Sequence, residues 1–165
     1  MQGFRFFAVL VLVIVLAISI FAPAAQAQVR EAPYWATLRW EEVNMRVGPS
    51  AEYRIDWVYK RKGLPVRVVR LREGWRLIQD HEGTQGWVAS SQLAATRGAI
   101  IVGEGLVELR EKPRATSPMR WRAEAGVVGA LLGCEDGFCE IDVRGRTGWV
   151  SAGRLWGVDN LASAD

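Results

Sequence analysis

Two phrases in this chain say nearly the same thing: residues 83–93 read GTQGWVASSQL and residues 145–155 read GRTGWVSAGRL. The likeness extends well beyond them. Val43, Met45, Arg46 and Pro49 return as Val107, Leu109, Arg110 and Pro113, all at one constant offset. Gly63, Gly74, Trp75 and Ile78 return as Gly126, Gly137, Phe138 and Ile141, at an offset shorter by a single residue. Gly83, Gly86, Trp87, Val88 and Leu93 return as Gly145, Gly148, Trp149, Val150 and Leu155, at an offset shorter by one more. Each step in the offset lies in a predicted loop, where deletions are tolerated. Ordered matches at near-constant spacing predict two copies of one domain of roughly 55–60 residues, close to the lower size limit for an independent core.

Each copy reads as β structure. VNMRV at 43–47 alternates apolar and polar residues and breaks at Gly48-Pro49; LPVRVVRL, WRLIQD and GWVAS follow with turn signals between them. Period-two alternation with a turn every ten or so residues predicts an all-β barrel or sandwich. AEYRIDWVYKRKG at 51–63 shows no clean period and reads as a long irregular loop, while SSQL at 90–93 suits one short helical turn. Gly74 and Gly137 sit where a hairpin turn needs positive φ. Gly86 and Gly148 precede a strand tryptophan, where a missing side chain permits close backbone approach. Trp87 and Trp149 are expected in the core, because rings of this size dominate small cores. Residues 28–39, with Pro33 and Tyr34-Trp35, read as an extended leader lying against a domain. The connection 94–105 holds Ile100-Ile101-Val102, unlike a flexible Gly/Ser linker. It is expected to pair as a strand or pack between the two halves and dock them.

The chain opens with Arg5, an apolar run from Phe6 to Ala22 broken only by Ser19, then Pro23 and Ala25-Gln26-Ala27. That order is the pattern of a secretory signal peptide with cleavage after Ala27. The run approaches the length that spans a bilayer, so an uncleaved N-terminal anchor is the alternative. The expected organisation is a signal peptide at 1–27, a leader at 28–39, domains at 40–97 and 98–158, and a tail at 159–165. Export makes a disulfide permissible. The two cysteines, in CEDGFC at 134–139, flank Asp136-Gly137, a hairpin turn signal. A Cys134–Cys139 bond across that hairpin, with Cα atoms about 4.5–5.5 Å apart, is expected. The first copy carries Leu71 and Arg76 there, so the barrel does not require it.

VNMRVGPSAEY, GLPVRVV and EGWRLIQDHEGTQGWV, with LREKP, GVVGALLGC and GRTGWV in the second half, resemble the bacterial SH3-like (SH3b) domain family in its secreted, tandem form. The likeness covers about residues 40–158. It implies a small, five-stranded, partly open barrel in each half. It also implies a targeting module that binds cell-wall peptide or other proteins at the bacterial surface. The second copy reads VELREKP, without the Asn or the Gly before Pro, a departure that counts against ligand binding by this copy more than against its fold.

The candidate ligand surface is the loop after Pro49, with Tyr53, Trp57 and Tyr59, since aromatic side chains there offer rigid contact area. Asp56, Asp80 and Glu82 either add charge to such a groove or are solvated turn residues. The matching loop of the second copy keeps Trp121 between Arg120 and Arg122, read as a surface stretch. A formal net charge of +3 is no nucleic-acid footprint. One histidine (His81) and two cysteines supply neither a Cys–His hydrolase nor a zinc site, and no phosphate loop is present. The expectation is a non-enzymatic periplasmic module without cofactor and, once the signal is cleaved, without membrane attachment. Its partner is either peptidoglycan peptide or glycan, or, for an adaptor or structural protein, another envelope protein.

Overall fold

The alternating stretches become strands, and each copy of the repeat builds its own antiparallel sheet. The computed structural model describes residues 30–158; the expected signal peptide, the first residues of the leader and the tail lie outside the described residues. The first copy forms β1 (Tyr34–Leu38), β2 (Val43–Arg46), β3 (Ile55–Tyr59), β4 (Pro65–Arg72), β5 (Trp75–Gln79), β6 (Gln85–Ala89) and β7 (Leu93–Ala94). The second forms β8 (Gly98–Ile101), β9 (Leu106–Arg110), β10 (Met119–Glu124), β11 (Val128–Glu135), β12 (Phe138–Val143), β13 (Arg146–Ser151) and β14 (Leu155–Trp156). The sheets run β3-β2-β6-β5-β4-β1-β7 and β10-β9-β13-β12-β11-β8-β14, the same order written twice. One 3-10 turn, at Ser90–Gln92 or Ala152–Arg154, precedes the last strand of each. The result is two tandem SH3-like barrels, each left open between its outermost strands.

Seven strands per sheet exceed the five that the family pattern implies. One addition is β3, inside the stretch read as irregular: its first residues are exposed and a bulge at Asp56 breaks the alternation. Tyr34–Leu38, within the expected leader, is β1 and pairs with β4 and β7. Gly98–Ile101, in the connection, is its counterpart β8 and pairs with β11 and β14. The apolar triplet 100–102 thus pairs as a strand over its first two residues.

Val43, Met45, Val66, Val68, Ile78 and Val88 fill the first core; Leu109, Ile141 and Val150 take matching places in the second. Trp87 is buried and Trp149 half-buried. The glycines before them are close-approach sites, as expected. A Cβ on Gly148 would stand 2.8 Å from Leu109 Cβ, and one on Gly86 would meet the Met45 side chain, with Sδ at 2.6 Å.

Both barrels belong to one compact unit. Trp35 of β1 meets Trp156 of β14 edge-to-face, ring centroids 4.5 Å apart. Ile100 is part of the first core although it lies on β8, and Val102, Val128 and Trp156 pack against that core. Arg61 donates to the Gly126 carbonyl oxygen across the seam, and a Cβ on Gly98 would stand 2.8 Å from the Gly63 carbonyl oxygen. The halves are docked through apolar and aromatic contact.

In the second barrel Cys134 and Cys139 are cross-strand partners and are bonded. Their Cα atoms lie 4.0 Å apart, closer than expected. The turn between them holds Asp136 at φ 50° and Gly137 at φ 75°, as a tight hairpin loop demands.

Candidate functional site

The loop after β2 is held by its own arginine. Arg46 Nη1 donates to the Tyr53 carbonyl oxygen, and the Val47 amide to the Arg54 carbonyl at 3.3 Å. The second barrel repeats both bonds: Arg110 Nη1 to the Ser117 carbonyl at 2.6 Å, and the Glu111 amide to the Pro118 carbonyl at 3.0 Å. This repeated arginine therefore folds the loop back on its strand. Its role was readable in principle, since it recurs at the matching place in the second copy while most of the loop around it changes.

Tyr53 needs Gly48. A Cβ at position 48 would lie 2.6 Å from two atoms of the Tyr53 ring, so the ring rests on bare backbone. In the second barrel Lys112 stands at the glycine position and Ser117, buried, at the tyrosine position. The missing Gly before Pro and the missing aromatic are one change, because without the ring no space is required.

β3 separates the other two expected site residues. Tyr59 pairs with Val43 and Trp57 with Met45, and both partners are fully buried, so both aromatics lie on the inward side of the sheet. Tyr59 sits deep, 7% exposed, and its hydroxyl donates to Asp80 Oδ2 at 2.8 Å. Burial, then that hydrogen bond and the charges of Asp80 and Glu82, push the phenol pKa well above its ordinary value. Tyr59 is thus a core residue, and the expectation that it faces ligand is corrected. Asp80 is likewise neither groove charge nor solvated. It is buried, and its Oδ1 accepts from the Glu82 and Thr84 amides at 3.1 and 2.9 Å. Asp followed at the third place by Gly was a readable signal for this capped turn. Asp56 is the bulged residue and pairs with Arg54 at 2.8 Å.

Trp57, two places back along β3, is 58% exposed. Tyr53 at 48%, Ile55 and Val47 are exposed beside it along the β2–β3 hairpin. Trp57 and Ile55 lie on β3, the outermost strand of the first sheet, and Tyr53 and Val47 in the hairpin loop that leads to it, so two aromatic and two aliphatic side chains are exposed at this end of the first barrel. Ile55 and Val47 were missed, because an exposed isoleucine reads like a buried one. Trp121 holds the position of Trp57, opposite Leu109, in the second barrel. There Nε1 donates to the Thr147 carbonyl oxygen at 3.0 Å and the ring packs against the core. The difference follows from the partner: the long Met45 side chain covers Gly86, whereas shorter Leu109 leaves room over Gly148 that Trp121 shares, its Nε1 3.4 Å from a Cβ placed there. Among the described residues no group of acidic, histidine or cysteine side chains is placed to hold a metal ion.

Comparison with known proteins bears on this geometry. Residues 40–94 and 103–157 each match the family described as "Bacterial SH3 domain". The Bacillus subtilis (strain 168) protein named "Putative N-acetylmuramoyl-L-alanine amidase YrvJ" is 24% identical over 127 residues, covering 71% of this chain and 24% of that one. The chain thus spans about a quarter of that relative's length. Among solved structures, NlpC1 of Trichomonas vaginalis is 15% identical with a TM-score of 0.33, over 78% of this chain and 47% of that one. An NlpC/P60 family protein of Bacillus cereus ATCC 10987 is 11% identical with a TM-score of 0.34, over 74% and 56%. The family match takes in most strands of both sheets, and the chain belongs to the bacterial SH3 domain family, of which it carries two tandem copies.

Proposed function

We propose that this chain is an exported, non-enzymatic binding module of the cell envelope. Its first domain recognises peptidoglycan peptide or glycan at the β2–β3 edge. The observation that carries the reading is the contrast between the copies. Tyr53 and Trp57 are held out to solvent in the first barrel, while their counterparts Ser117 and Trp121 are drawn in. Exposed aromatics on a braced hairpin give contact area at small entropic cost. Family membership and the name of the B. subtilis relative, an amidase of N-acetylmuramoyl-L-alanine, support the wall as the target.

The test is co-sedimentation of the protein, freed of residues 1–27, with purified sacculi. Parent protein is expected in the pellet. A Tyr53→Ala/Trp57→Ala variant should bind at least about thirtyfold more weakly, since a central aromatic anchor is worth roughly 2 kcal/mol and each 1.4 kcal/mol is about tenfold. If parent and variant both stay in the supernatant, the wall reading fails, and crosslinking to an envelope protein would support the adaptor instead. Export is tested separately. Mass spectrometry of the native protein should find an N-terminus at Gln28 in the periplasmic fraction, and an intact Met1 in the membrane fraction would establish the anchor.

A further inference from the structure

Two cavities meet on the second barrel. One, of about 670 Å³, lies on the seam between the barrels; the other, of about 490 Å³, lies against Trp121. Both are lined by Glu124, Val127, Val143 and Arg144, so they are parts of one groove. Four consecutive β10 residues, 121 to 124, line it. Side chains alternate across a strand, so a run of four on one cavity means that the groove follows the strand's edge. β10 is the outermost strand of its sheet, and that edge has no strand partner among the described residues.

The groove is cationic. Five basic side chains line it (Arg61, Lys62, Arg122, Arg144 and Arg146) against Glu41 and Glu124. Arg61 donates to Gly126 and Arg122 lies 3.5 Å from Glu108. Among the described residues no carboxylate is at ion-pair distance from Lys62, Arg144 or Arg146. Arg144 stands at φ 55° in the two-residue turn with Gly145, which the Asp142 carboxylate caps by accepting from the Gly145 amide at 2.6 Å. That backbone conformation suits Gly, Asn or Asp and disfavours arginine. The turn itself gives no reason for an arginine; its place beside both cavities does. Leu106, Trp121 and Val127 add an apolar side to the same groove.

We propose that this groove binds an extended, carboxylate-bearing peptide, added as a further strand to the β10 edge. A strand edge offers backbone donors and acceptors that an extended peptide satisfies. Its carboxylates meet Arg144, Arg146 and Lys62, and its alternate apolar side chains meet Leu106 and Trp121. This site is separate from the β2–β3 edge of the first domain and does not rest on it.

The test is NMR titration of the protein freed of residues 1–27 with an alternating Glu-Val hexapeptide, its Gln-Val analogue, and heparin. Saturable amide shifts along residues 119–124 with the Glu-Val peptide, at least fivefold weaker with Gln-Val, are expected. Arg144→Gly suits the turn and removes the cation. Combined with Arg146→Gln it should keep the spectrum folded and weaken the peptide about tenfold, on the scale of two exposed ion pairs. Absence of shifts at millimolar peptide, or equal affinity of the double variant, would overturn the proposal. So would heparin binding that matches the peptide with the β10 amides unmoved, since that marks adsorption of any polyanion.

Discussion

Replacing Tyr59 by Phe removes one oxygen atom and leaves the ring in the first core. Asp80 accepts three hydrogen bonds, from the Tyr59 hydroxyl at 2.8 Å and from the Glu82 and Thr84 amides at 3.1 and 2.9 Å. The substitution leaves Oδ2 of a buried carboxylate without that donor, and a bond to a charged group of this kind contributes about 2 kcal/mol. For a unit of this size that corresponds to a fall in Tm of roughly 6–8 °C. Thermal and urea unfolding measure it, with the urea slope unchanged because the buried surface is unchanged. In a cycle with Asp80→Asn the coupling should be about 1–2 kcal/mol. The sign of the pH effect follows from the raised phenol pKa. The folded state keeps the proton when the unfolded tyrosine loses it, above about pH 10. Stability therefore declines as pH rises beyond that point, and Tyr59→Phe lacks this part of the decline. A Tm indistinguishable from the parent's would refute the bond's contribution. Loss of sacculus binding at unchanged Tm would return Tyr59 to the ligand surface.

Gly48→Ala should displace the Tyr53 ring, weakening sacculus binding several-fold with little change in Tm. Gly148→Ala should cost about 2 kcal/mol in urea unfolding, because the Leu109 Cβ it meets is fixed to backbone; Gly86→Ala should cost less, because the Met45 chain can move. Cys134→Ser with Cys139→Ser should lower stability by about 2 kcal/mol on the chain-entropy model and still fold, as the first copy does without the bond. Denatured, unreduced protein should show no free thiol in a titration. Trp156→Ala removes the ring facing Trp35 and should lower Tm, while NMR relaxation still gives the two barrels one correlation time, because Ile100, Val102 and Val128 keep them packed; separate correlation times in the parent would refute the docking.

The repeat, its turn glycines and the Cys134–Cys139 hairpin were legible because each is a local matter. Gly137 is needed by its own turn and the cysteines by the two strands that turn joins, whereas Gly86 and Gly148, marked in the sequence by the tryptophan that follows each, are needed by Met45 and Leu109 on the neighbouring strand. Matching offsets then told that both halves share one sheet order. What lies where the chain meets distant residues was not legible. Tyr53, Trp57 and Tyr59 look alike in sequence. Only the register opposite Val43 and Met45, the bulge at Asp56 and the depth of Asp80 decide that Tyr59 is core and Trp57 is surface. Trp57 and Trp121 occupy one position of the fold, yet a methionine or a leucine across the strand sends one ring outward and the other into a bond with Thr147. Local pattern specifies which face of a strand a residue takes; how far it is buried there depends on side chains that other strands bring to it, and these are neighbours only in the folded barrel.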